Sequence, residues 1–346
     1  YARELKNRLR PDMTAYDELE LMLLRAEWQS LNWNDILARS LRFLVADEAS
    51  PSHRIEAGSM ALMMLSFQVD SITPHQTFRK IVEISVETGE ETDTFLQATM
   101  VFHTNWGSFE QAVTAAYSLV AQQKSRGDIG GLFRSLCNAS VTFRAAGLFD
   151  EATNHLMEAL ALTDRHHLYL SKSRAIPMLA NMSIEVGRLD DAHRWFALLE
   201  TLPIAAEDTL GHAEVSAIGA RLALLDGRPD HASVLVQRDL ENMRNDQVPH
   251  RRAYRAALQV AVELGTKNKV SKTALDELEQ AHLLSRGNLF QAFATYALYV
   301  GLTSAGNNER ANSLLTDYLN SYRREPWPAP QHILESLQKL CRARYN

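Results

Sequence analysis

A six-residue pattern recurs along this chain at a fixed interval of 40 residues. It consists of glycine, any residue, an apolar residue, an acidic residue, any residue and alanine. The four copies are Gly107–Ala112, Gly147–Ala152, Gly187–Ala192 and Gly227–Ala232. A fifth copy, Gly306–Ala311, keeps the glycine, the acidic residue and the alanine and lies about two periods further on, and a degenerate unit with Gly265, Ala274, Leu278 and Ala281 lies between them. A period of this length is typical of repeat proteins, in which each unit packs mainly on its neighbours.

The pattern predicts a turn between two antiparallel helices. Glycine takes the positive φ that ends the first helix, and the acidic residue lies near the positive end of the second helix dipole. The alanine then permits close helix contact. Apolar and small residues keep helical spacing on both sides, for example Ala139 and Phe143 before Gly147, and Leu156 and Ala159 after it. Each unit is therefore predicted to be one amphipathic helical hairpin.

These residues resemble the tetratricopeptide repeat family, which has a small residue seven positions before the turn glycine and an alanine five positions after it. The matching triplets are Ser140, Gly147 and Ala152; Ala180, Gly187 and Ala192; and Ala220, Gly227 and Ala232. Met100 departs from the small residue expected before Gly107, and the unit is longer than the usual period of about 34 residues. The chain looks most like the repeat domains of bacterial MalT-type and LuxR-type transcription regulators.

The resemblance implies an all-α fold: an α-solenoid, or right-handed superhelix, of about seven hairpins with a C-terminal capping helix. We expect fourteen or fifteen helices. The predicted organisation is N-terminal helices and eroded repeats over residues 1–91, the repeat array over 92–320, and the capping segment over 321–346, with its helix at 331–344. Such arrays bind ligands along a concave face.

Composition and charge limit the compartment and the kinds of partner that we expect for this chain. Two cysteines far apart in the sequence, Cys137 and Cys341, favour a reducing cytoplasm. No apolar stretch is long enough for a membrane span, and no signal peptide is visible. The net charge of −6 is the opposite of a nucleic-acid-binding footprint, so we expect DNA contact only through a domain outside this chain. The initial Tyr1 suggests an excised or processed segment.

No catalytic signature is present. Phosphate loops, dinucleotide-binding glycine motifs, nucleophile elbows and zinc-protease motifs are all absent from the sequence, so neither an enzyme nor a cofactor is expected. The glycine cluster Gly127–Gly131 is interpreted as a connection between repeats. His166 and His167 are interpreted as solvated side chains, because adjacent residues on a helix point apart and no ligand cluster completes a metal site.

Other reactive or aromatic side chains are assigned to packing. Cys137 is expected to be a small buried residue, since no histidine and aspartate of known geometry accompany it. His103 falls at an inward position before Gly107 and is interpreted as a core or groove residue. Most aromatic residues beside the turn motif, including Trp106, Phe143 and Trp195, are expected to pack within hairpins.

Basic and amide side chains give a binding hypothesis. If the first helix of each hairpin lines the groove, as the resemblance implies, its exposed inner positions include Arg134, Asn138, Arg144, Arg174, Asn181 and Arg221. Arginines arranged in this way could bind a carboxylate, a phosphate or an acidic peptide. The alternative is that they are ordinary surface charges.

The functional hypothesis is a non-enzymatic sensor domain of a bacterial transcription regulator. It would bind a protein, peptide or small-molecule effector in its groove, without membrane contact, and pass the bound state to a DNA-binding region outside the chain. The role comes from the resemblance rather than from any site. The alternative is a freestanding scaffold that assembles other proteins. The sequence leaves homo-oligomerisation open.

Overall fold

A computed structural model of the protein describes most of the 346 residues. The described parts are 14–27, 33–67, 72–106, 108–167, 171–204, 208–244, 246, 249–267, 269–283 and 289–324. Within them the chain forms sixteen α-helices and no strand, which confirms the all-α fold and exceeds the expected helix number slightly. The predicted terminal helix at 331–344 lies outside the described residues. No helix in the described ranges is long and apolar enough to cross a membrane.

The chain divides into two compact units, Tyr1–Leu119 and Val120–Asn346, and the boundary falls within the sixth helix. The helices up to this boundary are α1 Thr14–Glu27, α2 Trp33–Leu44, α3 Pro51–Leu65, α4 Ile72–Thr88, α5 Asp93–Trp106 and α6 Phe109–Arg126. The helices after it are α7 Ile129–Ala145, α8 Phe149–Arg165, α9 Lys172–Glu185, α10 Leu189–Glu200, α11 Thr209–Leu225, α12 Pro229–Asn242, α13 Pro249–Lys267, α14 Lys272–Leu283, α15 Leu289–Ser304 and α16 Asn308–Arg324. The predicted domain limits after residues 91 and 320 stay predictions.

The repeat glycines end helices in the left-handed conformation. Gly147, Gly187, Gly227 and Gly306 have φ of 76°, 75°, 71° and 79°. In each turn the residue after the glycine donates its backbone N–H to a carbonyl five residues earlier, as from Leu148 to Phe143 at 2.8 Å and from Arg228 to Ala223 at 2.7 Å. This bonding satisfies carbonyls that the helix end would leave without a partner. The predicted hairpin turn is confirmed at these four positions, and Gly107 lies outside the described residues.

The degenerate unit forms the predicted helical hairpin, α13 with α14, but its glycine does not lie in the turn. Gly265 lies within α13, which continues to Lys267, so this glycine does not end a helix. A Cβ built on Gly265 would lie 2.9 Å from the Pro229 Cβ atom, so glycine at this position allows α13 to approach α12 closely. Two glycines outside the repeat pattern do end helices: Gly89 after α4, with φ of 69°, and Gly127 after α6, with φ of 67°.

The repeat alanines lie at the helix contacts. Their side chains are 0% exposed at Ala112, Ala152, Ala192, Ala232 and Ala311. Around them each hairpin packs apolar side chains from its first helix, such as Phe143 and Ile176, against residues of its second helix, such as Leu156 and Leu199, and all four are almost fully buried. Alanine at the contact lets these larger side chains interdigitate on either side.

Valine in place of Gly147 or Gly187 is expected to lower the free energy of unfolding by about 1–2 kcal/mol or more, because a Cβ atom is strained at positive φ. Urea unfolding measures the effect. Gly130→Ala is the matched control, since Gly130 lies inside α7 without positive φ and an added Cβ there makes only ordinary contacts. Parental stability in both valine variants would contradict the repeat assignment.

Candidate functional site

The first helices of successive hairpins lie side by side in the second unit. Helix α7 contacts α9, α9 contacts α11, α11 contacts α13, and α13 contacts α15. The second helix of each hairpin, α8, α10, α12 or α14, packs on its own first helix. Side chains on one face of these first helices can therefore reach from one repeat to the next.

Two arginines use this proximity to bond asparagines of the preceding repeat. The Arg174 Nη2 atom on α9 donates to Asn138 Oδ1 on α7 at 2.6 Å. The Arg221 Nη1 atom on α11 donates to Asn181 Oδ1 on α9 at 2.8 Å. We call Asn138, Arg174, Asn181 and Arg221 the Asn–Arg ladder. Charge-assisted bonds of this kind are stronger than neutral ones and fix both side chains.

The ladder has two charged or polar neighbours on the same helices. Arg144 Nε of α7 lies 3.3 Å from Glu185 Oε2 of α9, and both side chains are mostly buried. Arg221 also hydrogen-bonds the Tyr254 side chain on α13. Burial raises the pKa of the Tyr254 hydroxyl, while Arg221 acts to lower it. Polar contacts thus run between neighbouring first helices from α7 to α13.

Five of the six predicted groove residues take part in these contacts. Arg134 is the exception: it is exposed on α7, and its Nη1 atom lies 3.5 Å from the point where a Cβ of Gly130 would be. The expected exposure is wrong for Arg221, which is only 5% exposed. Its guanidinium is covered because it lies between Asn181 of α9 and Tyr254 of α13. Arg174 remains exposed.

The arginines of this face differ in whether they have an acidic partner. Within the described ranges, Arg134, Arg174 and Arg221 form no ion pair with a carboxylate, whereas Arg144 pairs with Glu185. The Arg221 Nε atom is buried and has no hydrogen-bond acceptor in the same part of the structure. A buried cation with only neutral partners retains a strong attraction for an anion. The face is therefore suited to binding acidic groups.

One acidic residue, absent from the sequence-derived set, lies among these arginines. Glu214 on α11 is partly exposed, and burial raises the pKa of its carboxyl group to about 7. Arg174 and Arg144 oppose the increase. The repeat spacing could have indicated this residue, since Arg134, Arg174 and Glu214 are 40 residues apart and each lies thirteen residues before its turn glycine.

A cavity on the second-helix side is a weaker candidate. It has a volume of about 360 Å³ and is lined by α8, α9 and α10, with Leu179, Met182 and Trp195 among its apolar residues. Its rim arginines already have acidic partners: Arg188 lies 3.7 Å from Asp150, and Arg194 pairs with Asp191. Few polar groups remain to orient a ligand here, in contrast to the first-helix face.

Two other reactive side chains, Cys137 and His103, are buried in the core, and His166 is exposed to solvent. Cys137 is buried, as predicted, and burial raises its pKa to about 11, which keeps the thiol protonated. His103 is buried against Phe78, at 5.1 Å between ring centroids, and burial lowers its pKa to about 4. His166 is exposed, as expected, although it follows the end of α8 instead of lying within it. No group of three or more metal-ligating side chains occurs in the described ranges.

Most aromatic residues beside the turns pack against other side chains of the helical hairpins, as expected. Phe143 is 0% exposed and lies 4.7 Å from the His155 ring, between centroids. Trp106 is partly buried, and its Nε1 atom donates to the Ser66 carbonyl at 2.9 Å. Trp195 packs beside the core of its own hairpin. These rings therefore fix the hairpins and leave the polar first-helix face as the candidate site.

Comparison with known proteins supports the fold. No protein-family profile matches the sequence, and no curated protein is significantly similar to it. Among solved structures, the chain is similar to the apo form of the quorum sensor NprR from B. thuringiensis, at 11% sequence identity and a TM-score of 0.59. The alignment covers 92% of this chain and 91% of the other. Together with the glycine turns and paired helices, this likeness shows a tetratricopeptide-like helical repeat fold.

Proposed function

We propose that this protein is a non-enzymatic sensor domain of a bacterial transcription regulator, and that it binds an acidic group of a peptide, protein or small effector on the first-helix face of its second unit. DNA contact would come from a domain outside the chain. The MalT-type and LuxR-type resemblance and the likeness to a quorum sensor both support a regulatory role. The fold by itself is compatible with many functions.

One observation carries the binding proposal. Arg134, Arg174 and Arg221 come from three successive first helices, and none has a carboxylate partner among the described residues. Most arginines of a protein with a net charge of −6 could find an acidic partner. Guanidinium groups held by neutral amides are pre-organised and keep their charge for a ligand, which lowers the cost of binding.

The binding proposal is tested with short fluorescent peptides that carry no, one or three aspartates, followed by fluorescence anisotropy. We expect affinity to increase with aspartate number. Arg174→Ala is expected to weaken binding about tenfold or more, because a charge-assisted hydrogen bond contributes about 1.5–3 kcal/mol. Arg134→Ala should act in the same direction. Arg238→Ala, on the exposed face of α12, is the control and should change nothing.

Two other arginines are unsuitable as single tests. Removing Arg144 would leave Glu185 without its partner, and removing Arg221 would leave a cavity beside Asn181. Only variants whose melting temperatures match the parent are therefore compared. Equal affinity of the parent, Arg134→Ala and Arg174→Ala for every peptide would overturn the proposal. Binding without any change in shape or assembly by small-angle scattering would favour a scaffold over a sensor.

A further inference from the structure

The register of the first helices places Glu214 beside Arg174. Arg221 of α11 bonds Asn181 of α9, which fixes how these two helices are aligned. Moving seven residues, or two turns, towards the amino end of both helices leads from Arg221 to Glu214 and from Asn181 to Arg174. Glu214 and Arg174 are thus opposite each other on neighbouring helices.

Arg174 nevertheless forms its hydrogen bond with α7, the helix on the side away from Glu214. Its guanidinium donates to Asn138 on α7. Glu214 has no hydrogen bond or ion pair with the side chains of the described residues. The charged groups that act on Glu214 are Arg174 of α9, Arg144 of α7 and Asp208 at the start of its own helix, and the Arg144 charge is already engaged by Glu185. Arg174 therefore lies between a neutral amide and a carboxyl group that has no hydrogen-bond or ion-pair partner in the described part of the chain.

The charge of Glu214 sets the electrostatic potential at Arg174. An ionised Glu214 offsets the guanidinium charge and repels an incoming anion, whereas a protonated Glu214 does neither. Its pKa of about 7 means that both forms are populated near neutral pH. In the two preceding repeats the same position holds Arg134 and Arg174, so the sign of the charge changes only at the third repeat.

We propose that Glu214 is a specificity-determining residue of this face, which couples the binding of an acidic group at Arg174 to the uptake of one proton. The inference rests on the proposed function, because it concerns the same site. A ligand carboxylate or other anion at Arg174 lies close to Glu214 and favours its protonated form. By reciprocity, protonation of Glu214 favours the anion.

The sign of the pH dependence follows from this coupling. Above the Glu214 pKa the carboxylate competes with the ligand, and affinity for an anion is low. As pH falls through the pKa, Glu214 becomes neutral and affinity increases, by no more than tenfold per pH unit for one proton. A ligand that carried an ammonium group instead would show the opposite dependence.

Inorganic sulfate is a suitable probe because it stays a dianion between pH 6 and pH 8. Its binding is followed by NMR through the side-chain N–H signals of Arg174 and Asn138. We expect affinity about fivefold or more higher at pH 6 than at pH 8. Glu214→Gln mimics the protonated side chain, so it should bind at pH 8 as the parent does at pH 6, and its affinity should not vary with pH. Glu200→Gln, on the exposed part of α10, is the matched control.

The outcomes separate this inference from the function on which it rests. Sulfate binding that is lost in Arg174→Ala but has the same pH dependence in the parent and in Glu214→Gln would overturn the coupling and leave the anion site intact. An absence of sulfate binding at both pH values would overturn the coupling and the proposed site together. A decrease in affinity towards pH 6 would also contradict the coupling.

Discussion

Replacement of Arg255 by methionine is expected to lower the free energy of unfolding by about 3–5 kcal/mol at neutral pH, because it leaves the buried Asp239 carboxylate without its cation, whereas Asp246 keeps its bonds to Arg251. Arg255 Nε donates to Asp239 Oδ1 at 3.1 Å, and its Nη1 donates to Asp246 Oδ2 at 2.8 Å. Asp239 is only 1% exposed. These bonds connect the end of α12 to the start of α13. Urea unfolding measures the loss, and exposed Arg252→Met on α13 is the control.

The decrease in the free energy of unfolding caused by Arg255→Met should depend on pH. Burial already raises the pKa of Asp239 above its ordinary value of 3.8, although Arg255 acts to lower it. Without Arg255 the pKa rises further, so the folded variant binds a proton more tightly than the unfolded chain. Stability of the variant is then greatest at low pH and decreases as pH rises through the raised pKa. An equal loss at pH 5 and pH 7 would contradict this account, as would full stability at pH 7.

Phenylalanine in place of Ala152 or Ala192 is expected to destabilise the fold by about 1–3 kcal/mol in each case, because the larger side chain overpacks a closed helix contact. Both alanines are 0% exposed. Ala161→Phe on α8 and Ala197→Phe on α10 are matched controls, since they change the same helices at exposed positions. Thermal unfolding followed by circular dichroism compares the four variants. Equal stability of buried and exposed variants would show that the hairpins do not close on these residues.

Local chemistry explains why the turns were predictable from the sequence. The whole turn lies within six residues: a glycine that must adopt positive φ, then an acidic residue and an alanine. The sequence therefore predicts the turns at Gly147, Gly187, Gly227 and Gly306, and all four glycines have positive φ. Gly265 does not end a helix, because glycine also permits close helix packing, and only the neighbouring Pro229 distinguishes the two roles. The pattern does not predict the turn at Gly89, since this turn lacks the repeat spacing.

The face of the first helices was predictable, but the contacts across it were not. Helical periodicity identifies which side of α7, α9 and α11 carries Arg134, Arg174 and Arg221. It does not give the offset between neighbouring helices, which is set by side-chain packing between repeats. That offset decides that Arg174 meets Asn138 and that Arg221 is covered by Tyr254. The binding hypothesis contains only basic and amide residues of this face, so it does not include Glu214.

The orientation of the two ladder amides limits what this surface can recognise. Asn138 and Asn181 each direct the carbonyl oxygen of the side chain to an arginine, so neither amide can rotate by half a turn without placing N–H against N–H. Their amino groups therefore point away from the arginines. Since the arginines also contribute only donors, the two ladder bonds use the acceptor side of both amides and leave N–H groups on this surface. A molecule rich in lone pairs can satisfy these N–H groups, whereas one that offers only N–H hydrogens cannot.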